Sequence, residues 1–113
     1  MDHPNAIFKL LAEKNRLAMF MMLLHDEYCV CDIEKFLSLK QANVSKHLML
    51  FRKLDLIESK KEYQWMHYQL SDEALEKHAT LIRYLKQTPY YKQITNGLAT
   101  FQKHACKPKE TKS

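Results

Sequence analysis

Residues Cys29–Leu54 run CVCDIEKFLSLKQANVSKHLMLFRKL. They divide into two helical patterns joined by a tight turn at Ser38-Leu39-Lys40. The second pattern carries Val44, Leu48, Phe51 and Leu54 at the spacing of one helix face. Its other face offers Gln41, Asn43, Ser45, Lys46, His47, Arg52 and Lys53, all able to bond phosphates or base edges. A helix-turn-helix that reads DNA needs this division, with one face gripping the core and the other entering the major groove. Cys29 and Cys31 open the first helix, where a bound ligand would disturb the pair.

Toward the N-terminus, Pro4 suits a first helical turn, and Ile7, Leu10 and Leu11 give that helix an apolar stripe. It is expected to end near Glu13–Asn15, with Asn15 capping the next helix. There Leu17, Phe20, Met21 and Leu24 make one face, and Met19, Met22 and Leu23 fill much of the rest, so this helix should be central and buried. Core packing, not soft-metal binding, is the ordinary role of such a methionine cluster.

Beyond Leu54, Leu56–Lys60 and Trp65–Leu70 read as two strands joined by a tip at Lys61-Glu62-Tyr63-Gln64. The second strand alternates, with Met66, Tyr68 and Leu70 on one side and Trp65, His67 and Gln69 on the other. Helix, turn, helix and hairpin make a winged helix-turn-helix, with Lys60 and Lys61 as the wing's basic contacts. A helix capped by Ser71 or Asp72 should follow, with Leu75, Ala79, Ile82 and Leu85 as its stripe and Pro89 as its end. Ile94, Leu98, Phe101 and Ala105 form a last amphipathic stripe closed by Cys106. Residues 1–105 are expected to form one mainly α domain with a small β-hairpin, and 106–113 a disordered polar tail.

The 113 residues include one glycine and three prolines, which leaves little material for tight turns. Net charge is +5, and part of the excess gathers between Lys35 and Lys61, favouring a polyanionic partner. Three cysteines, two of them separated by a single residue, suit reduced thiols in a cytosol better than a structural disulfide. Met1–Lys14 lacks the apolar core of a signal peptide, and Leu17–Leu24 is too short to span a bilayer. No membrane partner is expected. Enzymatic chemistry is not indicated either: the sequence offers no Ser/His/Asp ordering, paired-carboxylate motif or glycine-rich phosphate loop.

Thiolates are ligands for soft ions. A helix start also lowers a thiol's pKa through unpaired backbone N–H groups, which is the expectation for Cys29 and Cys31. In an intact helix, residues i and i+2 stand about 200° apart, so one ion can join both only if the first turn bends. That bend would be transmitted to the recognition helix through Ser38–Lys40. His3, His78 and His104 are expected to be solvated or partly packed.

Taken together, NRLAMFMMLL, EYCVCDI, QANVSKHLMLFRKLDLI and WMHYQL resemble the ArsR/SmtB family of bacterial metal-sensing repressors, from about Ile7 to Leu70. EYCVCD is similar to the ELCVCD signature of its arsenic- and antimony-responsive members, shared with some cadmium/lead sensors. The resemblance implies a homodimeric winged helix-turn-helix, paired through its first and last helices, that represses a resistance operon in the cytoplasm until an inducer releases the operator DNA. It places Gln41, Asn43, Ser45, Lys46 and His47 on the recognition helix and Arg16 at the entry to the second helix. It implies As(III) or Sb(III) at Cys29 and Cys31, with Cd(II), Pb(II), Zn(II) or thiol oxidation as alternatives. Arsenic sensors of this type carry a third cysteine where this chain has Glu34, so Cys106 is the candidate third ligand. His25 or Glu34 would complete a cadmium or zinc site instead. Other departures are Tyr63 for the wing glycine, Gln64 for its basic neighbour, Ser38 for the turn glycine and Lys40 for the serine cap. The zinc sensors' Asp-x-His site on the last helix has no counterpart around Asp72–Tyr91.

Overall fold

The computed structural model describes residues 4–104. Helices α1 (Pro4–Leu11), α2 (Lys14–His25), α3 (Val30–Leu37) and α4 (Gln41–Lys53) lead into strands β2 (Ile57–Glu62) and β3 (Trp65–Leu70). A two-residue strand, β1 (Tyr28–Cys29), precedes α3, and α5 (Asp72–Lys77), α6 (Ala79–Lys86) and α7 (Pro89–Ala99) follow the hairpin. The sheet is antiparallel in the order β1-β3-β2, and its register sets Cys29, His67 and Lys60 side by side. This is a winged helix-turn-helix.

α2 is the axis of the core. Met19, Phe20, Met21 and Met22 are almost wholly buried and meet Ile33 of α3, Val44 and Phe51 of α4 and Leu56. The rings of Phe20 and Phe51 lie 6.3 Å apart at 58°. Each such side chain contributes about 1.5–3 kcal/mol on burial. The methionines are core, as their apolar surroundings require.

Local chemistry explains the helix ends. Glu13, not Asn15, caps α2, its Oε1 accepting the Arg16 N–H at 3.0 Å. Arg16 in turn donates from Nε to the Leu10 carbonyl at 2.7 Å, fastening α1 to α2. Ser71 caps α5 by accepting the Ala74 N–H at 3.0 Å, while its hydroxyl donates to the Asp55 carbonyl at 2.8 Å. Thr88 caps α7, with Pro89 at its first turn.

Three elements depart from the sequence reading. Tyr28–Cys29 joins the sheet through two residues, too few to show a period. The helix expected from Asp72 to Leu85 divides at His78, whose φ −111° and ψ 29° leave helical values. Leu75 is consequently exposed rather than part of the stripe. The last helix ends at Ala99, and Phe101 instead packs its ring edge-on against Phe36 at 5.5 Å. Ala105, Cys106 and the expected tail lie outside the described residues. Gly97 is where α7 approaches α3, since a Cβ there would stand 3.1 Å from the Phe36 ring.

Candidate functional site

The outer face of α4 follows from its inner one. With Val44, Leu48 and Phe51 buried, Gln41, Asn43, Ser45, Lys46, Arg52 and Lys53 are left exposed. Met49 is 59% exposed on the same helix, an apolar group able to meet a thymine methyl, and the sequence reading passed over it. His47 does not belong to this face. It is 9% exposed, its Nδ1 has no hydrogen-bond partner, and burial holds its imidazole below the ordinary pKa. Arg52 reaches toward the wing, donating to the Ser59 hydroxyl at 3.4 Å. Lys60 and Lys61 are exposed on β2, and Lys60 Nζ stands 3.6 Å from Glu27 Oε1.

The two positions where the resemblance implies glycine have left-handed backbone here. Ser38 ends α3 at φ 55°, and Tyr63 turns the wing at φ 59° with its side chain 83% exposed. Both residues hold a left-handed geometry that glycine adopts freely. Lys40 precedes α4 with no side-chain cap bond.

The cysteine end of α3 differs from expectation in two ways. Cys29 is not within the helix; it is the N-cap, with extended φ −86° and ψ 169°. The strict separation of residues two apart on a helix therefore does not govern it. Secondly, Cys29 is 2% exposed, and burial pushes its thiol up to about 11, outweighing the helix-start effect. Cys31 lies half-buried in the first turn and is disulfide-bonded, against the expectation of reduced thiols. Glu34 is half-buried on the same helix and His25 is exposed at the end of α2.

Cys29 meets one group from its own first turn and one from a distant part of the chain. Its S–H donates to Asp32 Oδ2 at 3.3 Å, and its Sγ is 3.6 Å from His104 Nδ1. Asp32 is fully buried, and its Oδ1 accepts the His104 N–H at 2.7 Å. Neighbouring contacts dock the segment after α7: Lys103 pairs with Asp26 at 2.9 Å and caps the Tyr28 ring at 4.6 Å, while the Trp65 and His104 ring centroids lie 4.4 Å apart. The ligand atoms of Cys29, Asp32 and His104 fall within 4.8 Å of one another. A sulfur, an oxygen and a nitrogen suit borderline ions such as zinc or cadmium better than As(III), which favours thiolates throughout. His104 is half-buried, consistent with the expectation that it be solvated or partly packed, and it also stands within reach of Cys29 and Asp32.

Residues 13–59 match the family described as "Bacterial regulatory protein, arsR family". The chain is 39% identical over 69 residues to the "Arsenical resistance operon repressor" of Escherichia coli K12, covering 60% of this chain and 59% of that protein. It is 37% identical over 70 residues to the "Cadmium resistance transcriptional regulatory protein CadC" of Listeria innocua, covering 59% of each. The chain thus spans less than two-thirds of the length of these curated relatives. Among solved structures, HlyU from Vibrio cholerae superposes with a TM-score of 0.61 at 32% identity, covering 74% of this chain and 92% of that one. These relatives are regulators, not enzymes. The helix-turn-helix, its wing and these likenesses agree: residues 13–59 form a helix-turn-helix domain of the arsR family of bacterial regulatory proteins.

Proposed function

We propose that this chain is a cytoplasmic, homodimeric repressor of a metal- or metalloid-resistance operon, bound to double-stranded operator DNA until an inducer releases it. The observation that carries the reading is the exposed polar face of α4, opposite a stripe fixed in the core. Lys46 contacts phosphate, and Gln41, Asn43 and Ser45 read base edges. Arg52, Lys60 and Lys61 add charge along α4 and the wing. His47 supports α4 from its buried side.

The inducer in this reading is As(III) or Sb(III), bound by Cys29 and Cys31 once the disulfide at Cys31 is reduced. Cys106, outside the described residues, is assigned as the third thiolate. The position of Cys29 between β1 and α3 supports coupling, because strain there acts on both the sheet and the helix that sets α4. The Cys29, Asp32 and His104 group favours a second reading, in which Cd(II), Pb(II) or Zn(II) is the inducer. Titrating a protein–operator complex with arsenite, antimonite, cadmium, lead and zinc under reducing conditions separates the two. Release by arsenite or antimonite at the lowest concentration supports the first reading, and release by only the divalent ions supports the second. Failure to bind any operator from resistance genes contradicts both.

A further inference from the structure

A separate cluster of ligating side chains lies at the root of the wing. Glu27 precedes β1, Glu62 ends β2 and His67 lies within β3. Their ligand atoms all fall within 4.8 Å of one another, although the residues come from three segments of chain. Acidic surface groups often approach one another without consequence, but His67 adds an independent observation. It is 6% exposed, and its Nδ1 is buried without a hydrogen-bond partner. Glu27 Oε2 is 4.0 Å from that nitrogen, too far for a hydrogen bond.

In the tautomer that carries its hydrogen on Nε2, Nδ1 and the carboxylate oxygen both present lone pairs, and a cation between them would satisfy both. Zinc-type N and O bonds of about 2.0–2.2 Å set neighbouring tetrahedral donors about 3.4 Å apart, so the Glu27–His67 pair needs roughly half an ångström of closure and no pair more than about 1.4 Å. Lys60 already supplies one positive charge, 3.6 Å from the other Glu27 oxygen. It leaves Oε2, the Glu62 carboxylate and His67 facing one another.

We propose that Glu27, Glu62 and His67 bind one divalent first-row transition ion at the root of the wing. The ion ties the segment before β1 to both wing strands, fixing the hairpin relative to the body of the domain. This site shares no ligand with Cys29, Cys31 or Asp32, and its existence does not depend on which inducer, or which DNA, the chain recognises.

Mn(II) is the probe of choice, because two carboxylates and an imidazole accept it while thiolates prefer softer ions. Adding the full chain to Mn(II) should remove the free-ion electron paramagnetic resonance signal with one ion bound per chain. Glu27→Gln and Glu62→Gln should each weaken binding by about tenfold or more. Glu62 is exposed, so its substitution tests the site without threatening the core. Glu58→Gln is the control: it lies on the same strand, but its carboxylate accepts the Gln69 amide at 2.9 Å. Tenfold losses in both triad variants, with the control close to the parent, support the site. No uptake by the parent, or equal affinity in Glu62→Gln, overturns it.

Discussion

At the scale of single residues, Lys46 and His47 are sequence neighbours with opposite duties. Lys46 points to solvent, so Lys46→Ala should leave the melting temperature unchanged and weaken operator binding about equally across sequences. It should also reduce the slope of log affinity against log salt by about 1, as loss of one phosphate contact requires. An unchanged slope would remove Lys46 from the interface. His47 is held below its ordinary pKa by burial, so the unfolded chain takes up its proton first. The stability tied to neutral His47 is present above about pH 6.5 and lost as pH falls toward the lowered folded value. Denaturant midpoints at pH 7.5 and 5.5 should therefore converge between the parent and His47→Gln, the parent losing more on acidification. Parallel losses would contradict this. The sequence placed both residues on one face because a list of polar side chains does not resolve neighbouring helix positions; Val44, Leu48 and Phe51 fix the rotation, and His47 falls beside them. Nor was the Cys29–His104 contact legible. It joins residues 75 apart through a segment without periodicity, held by Asp32.

At the scale of elements, the helix-turn-helix and wing were readable because their apolar stripes and alternation are long enough to repeat. β1 is two residues long and exists only by pairing with β3, so nothing local announces it. The break at His78 is equally invisible to a stripe that continues in phase on both sides. Turn chemistry was legible in part: Ser38 and Tyr63 stood out as replacements for glycine, and both occupy left-handed backbone. That conformation costs a residue with a Cβ about 1–2 kcal/mol, while glycine's extra unfolded-state freedom takes back about 0.5–1 kcal/mol. Tyr63→Gly and Ser38→Gly should therefore each stabilise the fold by about 0.5–1 kcal/mol in reversible denaturation. Tyr63 is the cleaner test, being exposed and without core contacts. A loss of stability in Tyr63→Gly would mean that its side chain contributes more than its backbone strain costs.

At the scale of the whole molecule, large apolar side chains remain uncovered on the first helix and on the two helices that follow the wing. Phe8 on α1 is 60% exposed, Tyr84 on α6 is 63% exposed and Leu75 on α5 is 45% exposed. Joining two copies through these helices would cover them and set two copies of α4 about 34 Å apart, one turn of DNA. Sedimentation at micromolar concentration should show a dimer, and Phe8→Glu with Tyr84→Glu should shift it to monomer and abolish tight operator binding. A parent that sediments only as monomer, with or without DNA, excludes this assembly. Ligand capture at Cys29 and Cys31 is proposed to release the operator. Release needs a coupling of only about 1–3 kcal/mol, a roughly 5–150-fold loss of affinity. The most direct measurement follows operator binding by fluorescence anisotropy as arsenite is added to the reduced parent and to the Cys29→Ser, Cys31→Ser double variant. Both should bind operator beforehand, the parent should dissociate, and the double variant should stay bound. Dissociation of the double variant at the parent's arsenite concentration would contradict that proposal.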